Sequence, residues 1–429
     1  MAKEYDAIVV GARCAGSPTA MLLAKKGYRV LVVDRASFPS DTMSTLVIHV
    51  PGAAALHRWG LLQDVLASNC PPIERYSFDF GAFMVAGRPR PSGGIAIGCA
   101  PRRTILDTIL VDAAARAGAE VRERFSVDEV LIEDGAAVGI RGHGPDGKPV
   151  IERGRVVVGA DGRNSLVAEA VNAQEYNSKG KLGWAYYTFW SGLPVDGVET
   201  VIRPHRGWGA IPTNDGLTCI IQGWPRAEAK AFRADIEGNY LKTFDLAPEF
   251  AERVRGATRV DRFTGGGVPN FLRKPFGPGW ALVGDAGYTK DPVTAQGISD
   301  AFRDAERCAA ALDEVFLGDR PFEDAMAEYH VARDSQVLPM YEMTAQFASG
   351  EPPPPEMQQL LGAVAGHQEA MNDFISVVAG SLPAVEFFDP ENLRRLASLA
   401  PTTSQPDAGR PPMLASTRGP GSLDDATRP

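Results

Sequence analysis

The sharpest pattern of apolar and polar positions lies at residues 5–35, YDAIVVGARCAGSPTAMLLAKKGYRVLVVDR. A β-branched run from Ala7 to Val10 enters a glycine turn, a helical stretch closes at Gly27, and a second run from Val30 to Val33 stops at Asp34. Short apolar runs bounded by turn residues predict buried strands, and the 3.6-residue period between them predicts a helix. The segment is a βαβ unit.

Downstream, residues 37–72 predict a Ser- and Thr-rich loop, then short helices around Gly52–Trp59 and Leu61–Ser68. The loop can offer hydroxyls to a ligand, or serve as caps and turns through Ser40, Asp41, Thr42 and Ser44. Residues 76–97 alternate like short antiparallel strands that leave the first domain. Ile105, Ile109, Leu110 and Ala113 carry a helical period that Gly118 ends. A hairpin is predicted from Val127–Ile132 and Ala137–Gly142, then a strand Arg155–Val158 that runs into GADGRNSLV.

Between about Tyr176 and Phe271 the composition turns aromatic: five of the six tryptophans lie between 184 and 280, and strands such as WAYYTFW dominate. Trp184, Tyr186, Trp190, Trp208 and Trp224 could line an apolar pocket, although core burial is the commoner fate of large rings. After a strand Ala281–Val283, a long helix is expected near Gln296 or Gly297, and another over Phe322–Ala348 that Pro339 should kink or divide. EPPPP (351–355) reads as a stiff connector, and residues 356–398 as helices broken at Gly366 and Pro383. Beyond Pro401 almost nothing apolar remains, which predicts a disordered tail. Deleting residues 401–429 is therefore expected to leave the thermal midpoint unchanged in a melting experiment.

At 429 residues the chain exceeds the length at which single cores stop growing, so more than one domain is expected. The expected partition is a discontinuous first domain (1–75, 98–175 and 272–345), a β-sheet domain (76–97 and 176–271) and a helical region (346–400). A net charge of −9 without a basic patch argues against nucleic acid or an anionic membrane as partner. Cys14, Cys70, Cys99, Cys219 and Cys308 show neither disulfide nor metal spacing. With no run approaching a membrane span, the chain reads as cytoplasmic, and its oligomeric state is open.

Candidate chemistry centres on the first turn. Gly11 permits a tight turn off the strand, Gly16 lets the helix approach the sheet, and the intervening Ala12, Arg13, Cys14 and Ala15 present backbone N–H groups at a helix start, a site suited to a pyrophosphate. Arg13 stands where the usual fingerprint has its middle glycine, so its side chain must lean away while its guanidinium can reach a phosphate. Asp34 ends the second strand where a ribose diol would be held. Arg102 and Arg103 open a helix whose dipole they oppose, which favours an anionic ligand over a stability role. The helix near Gly297 likewise offers a free N-terminus.

The βαβ fingerprint, GADGRNS and GDAGYTKDPVTAQG, in that order over about residues 5–345, resemble the class A flavoprotein monooxygenases and the related geranylgeranyl reductase-like flavoenzymes. The resemblance implies an α/β fold: a Rossmann-like FAD-binding domain, an inserted antiparallel-sheet substrate domain and a helical C-terminal region. It implies FAD as cofactor, with Gly11 to Gly16 on the pyrophosphate, Asp34 and Arg35 at the adenosine ribose, Arg103 at the ribityl or phosphate region, and the Val127 backbone at adenine. Asp161 and Gly162 would shape the FAD site and the nicotinamide approach, although Asp161 and Ser165 can equally be caps. Gly284 and Asp285 would meet the ribityl or pyrophosphate, Pro292 would flank the flavin, and Gly297 and Ile298 would face its pyrimidine edge.

The implied reaction is hydroxylation or epoxidation of an apolar, aromatic or polycyclic small molecule by dioxygen through a C4a-hydroperoxyflavin, with NAD(P)H as reductant. No catalytic side chain is assigned; His49 and Tyr288 lie nearest the flavin loops in sequence, and burial is the commoner reading of each. An alkene reductase is the rival reading. Flavin halogenases resemble one another in W-x-W-x-I-P, and here Gly207 and Gly209 stand where those tryptophans belong. A flavin carrier without turnover is a further class.

Overall fold

The computed structural model describes residues 4–399. Its first sheet has eight strands around a parallel centre, in the order Phe276–Gly277, Trp280–Leu282, Pro149–Gly159, Glu4–Val10, Val30–Val33 and Glu120–Arg122. The hairpin Ser126–Glu133 and Ala136–His143 extends it antiparallel through Pro149–Gly159. Alternation sets the two faces: Ala7, Val9, Val30, Val32, Val156 and Val158 pack on one side, and Ile8, Leu31, Val33, Val157 and Leu282 on the other. A parallel sheet buried on both faces needs such unbroken apolar strands. The helices Gly16–Lys25, Arg103–Arg116 and Gly297–Leu317 supply side chains to the first face.

The second sheet also has eight strands, in the order Thr258–Arg259, Gly183–Ser191, Thr218–Pro225, Arg206–Pro212, Val198–Arg203, Tyr76–Asp79 and Met84–Gly87, with Thr264–Gly266 paired beside Gly183–Ser191. Every pair is antiparallel except Val198–Arg203 with Tyr76–Asp79, which run parallel. Helices Pro355–Val364, Gln368–Val378, Ala384–Phe387 and Pro390–Ser398 follow, interrupted at Gly366 and Pro383 as the sequence predicts. The expected disordered tail lies outside the described residues. Among the described residues no helix is long and apolar enough to cross a membrane, and all five cysteines are free and buried.

Two expectations need correction. Pro339 does not divide its helix, which is continuous over Phe322–Ala348. Buried Val337 and Tyr341 flank the proline, with the Tyr341 hydroxyl donating to the Asn177 carbonyl at 2.7 Å, so tertiary anchors on both sides hold the chain through it. Residues 226–255, read within a region of strands, instead form the helices Ala229–Ala234, Ile236–Thr243 and Pro248–Arg255. The signals were present: the Asp235 side chain caps Gly238 N–H, and Pro248 sits at a first helical position.

Those helices decide the fate of the tryptophans. Tyr186, Trp190, Trp208 and Trp224 lie on the face they cover, packed with Phe232, Tyr240, Phe244 and Phe250. This face is core, not a pocket wall. Trp184 shares it at the margin, half-buried beneath the Arg233 guanidinium. The opposite face carries Tyr187, Phe189, Val198, Ile211 and Cys219 and meets the C-terminal helices.

Candidate active site

Three glycine turns converge where the strands Glu4–Val10, Pro149–Gly159 and Trp280–Leu282 end. A Cβ on Gly11, whose φ is +103°, would fall 2.4 Å from the Ala160 carbonyl oxygen, and one on Gly284 would fall 2.8 Å from the Ala15 Cβ. Gly16 is tighter still, since its Cβ would meet the Gly11 carbonyl oxygen at 1.8 Å. Backbone therefore approaches backbone as a dinucleotide turn requires. Ala12, Cys14 and Ala15 are buried beneath the turn, and Gly162 opens into free space at φ +81°.

At one end of this cradle Asp34 accepts the N–H groups of Ala12 and Ala36, each at 2.8 Å. A carboxylate has about four acceptor positions, which leaves room for a diol. Arg35 beside it is exposed. Phe125 N–H donates to the Asp34 carbonyl at 2.8 Å, which brings Val127, paired with Gly142 in the hairpin, alongside the same strand end.

Arg13 does not stretch freely into the cradle. Its guanidinium donates to Asp107 Oδ2 at 2.5 Å and to Ser40 Oγ at 2.8 Å. Arg103, also buried, grips the same carboxylate through contacts of 2.8 to 3.1 Å. Burial opposes the Arg103 charge, but Cys14, Asp107 and Asp285 outweigh it and hold its proton more tightly than usual. Two guanidiniums against one carboxylate leave a local positive excess, fit for an anion. Asp107 is not among the residues the sequence singles out; its i,i+4 spacing from Arg103 was the signal for the pair.

The Asp161 carboxylate is engaged locally: Ser165 Oγ donates to it at 2.5 Å and Val167 N–H at 3.2 Å, while Ser165 itself caps Ala168 N–H. Both residues therefore act as caps, and only backbone near Asp161 and Gly162 faces the first turn. Asp285 is ringed by protein, which raises its pKa against Arg103, Arg163 and Lys290, yet its side chain stays solvent-exposed, and water tempers that rise. Gly297, exposed and with nothing within 4 Å of a Cβ position, begins the long helix, whereas the Ile298 side chain turns into the core. Pro292 is half-buried nearby, in the turn Pro292–Thr294.

That turn is held by residues no local pattern announces. Asn270 Oδ1 accepts Asp291 N–H at 2.7 Å, the Asp291 carboxylate caps Val293 N–H at 3.1 Å, and Thr294 Oγ1 meets Thr344 Oγ1 at 2.8 Å. Gly284 N–H donates to buried Asp304 at 3.1 Å. His49 completes the tether, with Nε2 3.1 Å from the Thr294 carbonyl and Nδ1 3.1 Å from the Tyr76 hydroxyl. A carbonyl only accepts, so Nε2 carries the proton and Tyr76 donates to Nδ1. Tyr288 is buried against Leu272, Val337 and Tyr341.

Burial depresses the His49 pKa to about 4. The unfolded chain then binds more protons than the fold between about pH 6.5 and 4, so this contribution is intact above pH 6.5 and is lost as the pH falls towards 4. Urea unfolding of wild type and His49→Gln should show the stability difference moving against wild type by up to about 3 kcal/mol across that window. A difference independent of pH would mean that His49 titrates as it does in the unfolded chain.

The geometry is that of an α/β protein whose glycine turns suit a dinucleotide, with a second, largely antiparallel sheet. A family profile described as an FAD binding domain matches residues 4–341, and the chain belongs to that family. It is an FAD-dependent oxidoreductase by that membership. Digeranylgeranylglycerophospholipid reductase of Methanosarcina acetivorans is 28% identical over 347 residues, covering 74% of this chain and 78% of the relative. Among solved structures, the myxobacterial chondrochloren halogenase CndH superposes with a TM-score of 0.75 at 22% identity, covering 93% of this chain and 97% of its own. PqsL of Pseudomonas aeruginosa, described as a probable FAD-dependent monooxygenase, gives 0.68 at 21% identity, covering 81% and 95%. These similarities of structure support the fold.

Proposed function

We propose that the chain is an FAD-dependent monooxygenase that uses NAD(P)H and dioxygen to hydroxylate or epoxidise an apolar, aromatic or polycyclic small molecule. In this reading residues 1–75, 98–175 and 272–345 carry FAD and residues 76–97 and 176–271 receive the substrate. The residues present suit the cofactor. A Cβ on Gly11 or Gly16 would collide with backbone at the turn, Asp34 keeps acceptor capacity for the ribose, Arg13 and Arg103 supply positive charge, and Asp285 and the Gly297 helix start are both exposed. The dipole at that helix start favours negative charge on a reduced ring. Bound FAD would supply electron transfer from NAD(P)H to dioxygen; the chain's own task is to position it and keep water away.

The observation that carries the reading is the apolar wall opposite the flavin loop. Ala295, just past the Pro292 turn, and Met43 pack against the cluster that includes Tyr187, Phe189 and Ile211. Apolar packing at the flavin loop supports oxygen transfer, because water diverts a reactive oxygen donor. The sequence likeness to the archaeal reductase favours a second reading, an alkene reductase on the same cofactor. Labelled dioxygen separates them: the label enters the product of a monooxygenase, and an unlabelled product with a saturated carbon–carbon bond would overturn the proposal.

A further inference from the structure

The sheet face that carries Tyr187, Phe189 and Ile211 has a bare centre. Gly207 pairs directly with Gly223, and Gly223 with Ala185 on the next strand. Gly209, two residues along from Gly207, pairs with Ile221. Residues opposite one another in an antiparallel sheet share a face, as do residues two apart on one strand. Gly207, Gly209, Gly223 and Ala185 therefore form one contiguous patch, rimmed on the same face by Thr200, Ile202, Ile221 and Tyr187.

Among the described residues nothing from another layer comes within 4 Å of a Cβ placed on these three glycines, although the Ala348 carbonyl and Gly350 cover the neighbouring end of the face at Gly183 and Pro225. Cβ atoms placed on Gly209 and Gly223 would find only the sheet itself, Ile221 Cγ2 at 3.8 Å and the Trp184 carbonyl oxygen at 4.0 Å; on Gly207 the neighbour is the Val201 carbonyl oxygen at 3.3 Å. All three glycines are half-buried, so the surface is reachable. The same face leads to the flavin loop: a Cβ on Gly183, two residues before Ala185, would lie 3.3 Å from Asp291 Oδ2. The bare area spans three strands, about 10 Å, and about 7 Å along the strands.

We infer that this patch is the substrate floor and that it selects a flat ligand of two or three fused rings, which stacks on exposed peptide planes between Ile202, Ile221 and Tyr187. The inference rests on the monooxygenase reading for its chemistry and on the sheet register for its location. Bulky side chains here would stand over the peptide planes, whereas glycine lets a ring system lie directly on the backbone. Selectivity by fused-ring width follows from the patch, because a single ring leaves part of the backbone uncovered.

The test uses the full-length yellow protein and 1-aminoanthracene as tricyclic probe, read by quenching of probe fluorescence and perturbation of the flavin band. Wild type should bind it. Gly209→Leu and Gly223→Val should each weaken binding by roughly tenfold or more while FAD content stays at the wild-type level. Gly209→Ala, whose added methyl meets only Ile221 at ordinary contact distance, should keep it. Unchanged affinity in both large variants, or no probe binding by yellow wild type, overturns the inference and leaves the flavin reading standing. Colourless wild type would instead remove the flavin reading itself.

Discussion

Gly11→Val is expected to yield a colourless protein. The residue sits at φ +103°, where a β-branched side chain is strained, and its Cβ would be driven to 2.4 Å from the Ala160 carbonyl oxygen. Relief requires the first turn to withdraw from the Ala160–Asp161 segment, which opens the cradle proposed for the pyrophosphate. The ratio of absorbance at 450 nm to that at 280 nm reads the result, and far-UV circular dichroism on the same sample reports whether the sheet survives. Asp285→Ala removes an exposed carboxylate just past the Trp280–Leu282 strand and should also lower FAD content, with less risk to folding. Stoichiometric FAD in both variants would refute the assigned site.

Asp107→Ala should produce the largest loss of stability among the site residues. Its fully buried carboxylate is shared by Arg13 and Arg103, and the Cys14 thiol lies 3.5 Å away. Removing one partner of a buried ion pair typically costs about 3–5 kcal/mol, because the remaining charge is left uncompensated. Denaturant unfolding of the FAD-free protein should show a shift of that order. A loss below about 1 kcal/mol would mean that water or another group neutralises the arginines.

The parts of the fold legible in the sequence are those written in local period and punctuation. The βαβ unit, the hairpin after Phe125, the helix beginning at Gly297 and the breaks at Gly366 and Pro383 each depend on neighbours within a few residues. The site's glycines were legible for the same reason, because a backbone that turns sharply off a strand leaves a compositional mark. Side-chain partnerships were not. His49 meets Tyr76, 27 positions away, and Thr294, 245 positions away; nothing in the spacing of one histidine encodes either. Asp304 and Asn270 hold loops through backbone N–H groups, which no side-chain pattern reveals. The helices over 229–255 were missed because aromatic residues at Phe232, Tyr240 and Phe244 suit strands as well as helices, and only the caps distinguish them. Pro339 was read by its intrinsic effect, which anchored neighbours overrode.

The one parallel pairing in the second sheet constrains how the chain comes off the ribosome. Tyr76–Asp79 has its parallel partner in Val198–Arg203, so the early strand must wait while the residues from 80 to 197 are synthesised. At about 5–20 residues per second, that delay is on the order of ten seconds. During that interval Tyr76–Asp79 has only its hairpin partner Met84–Gly87, its other edge is unpaired, and a nascent chain in this state is a natural client for a holding chaperone.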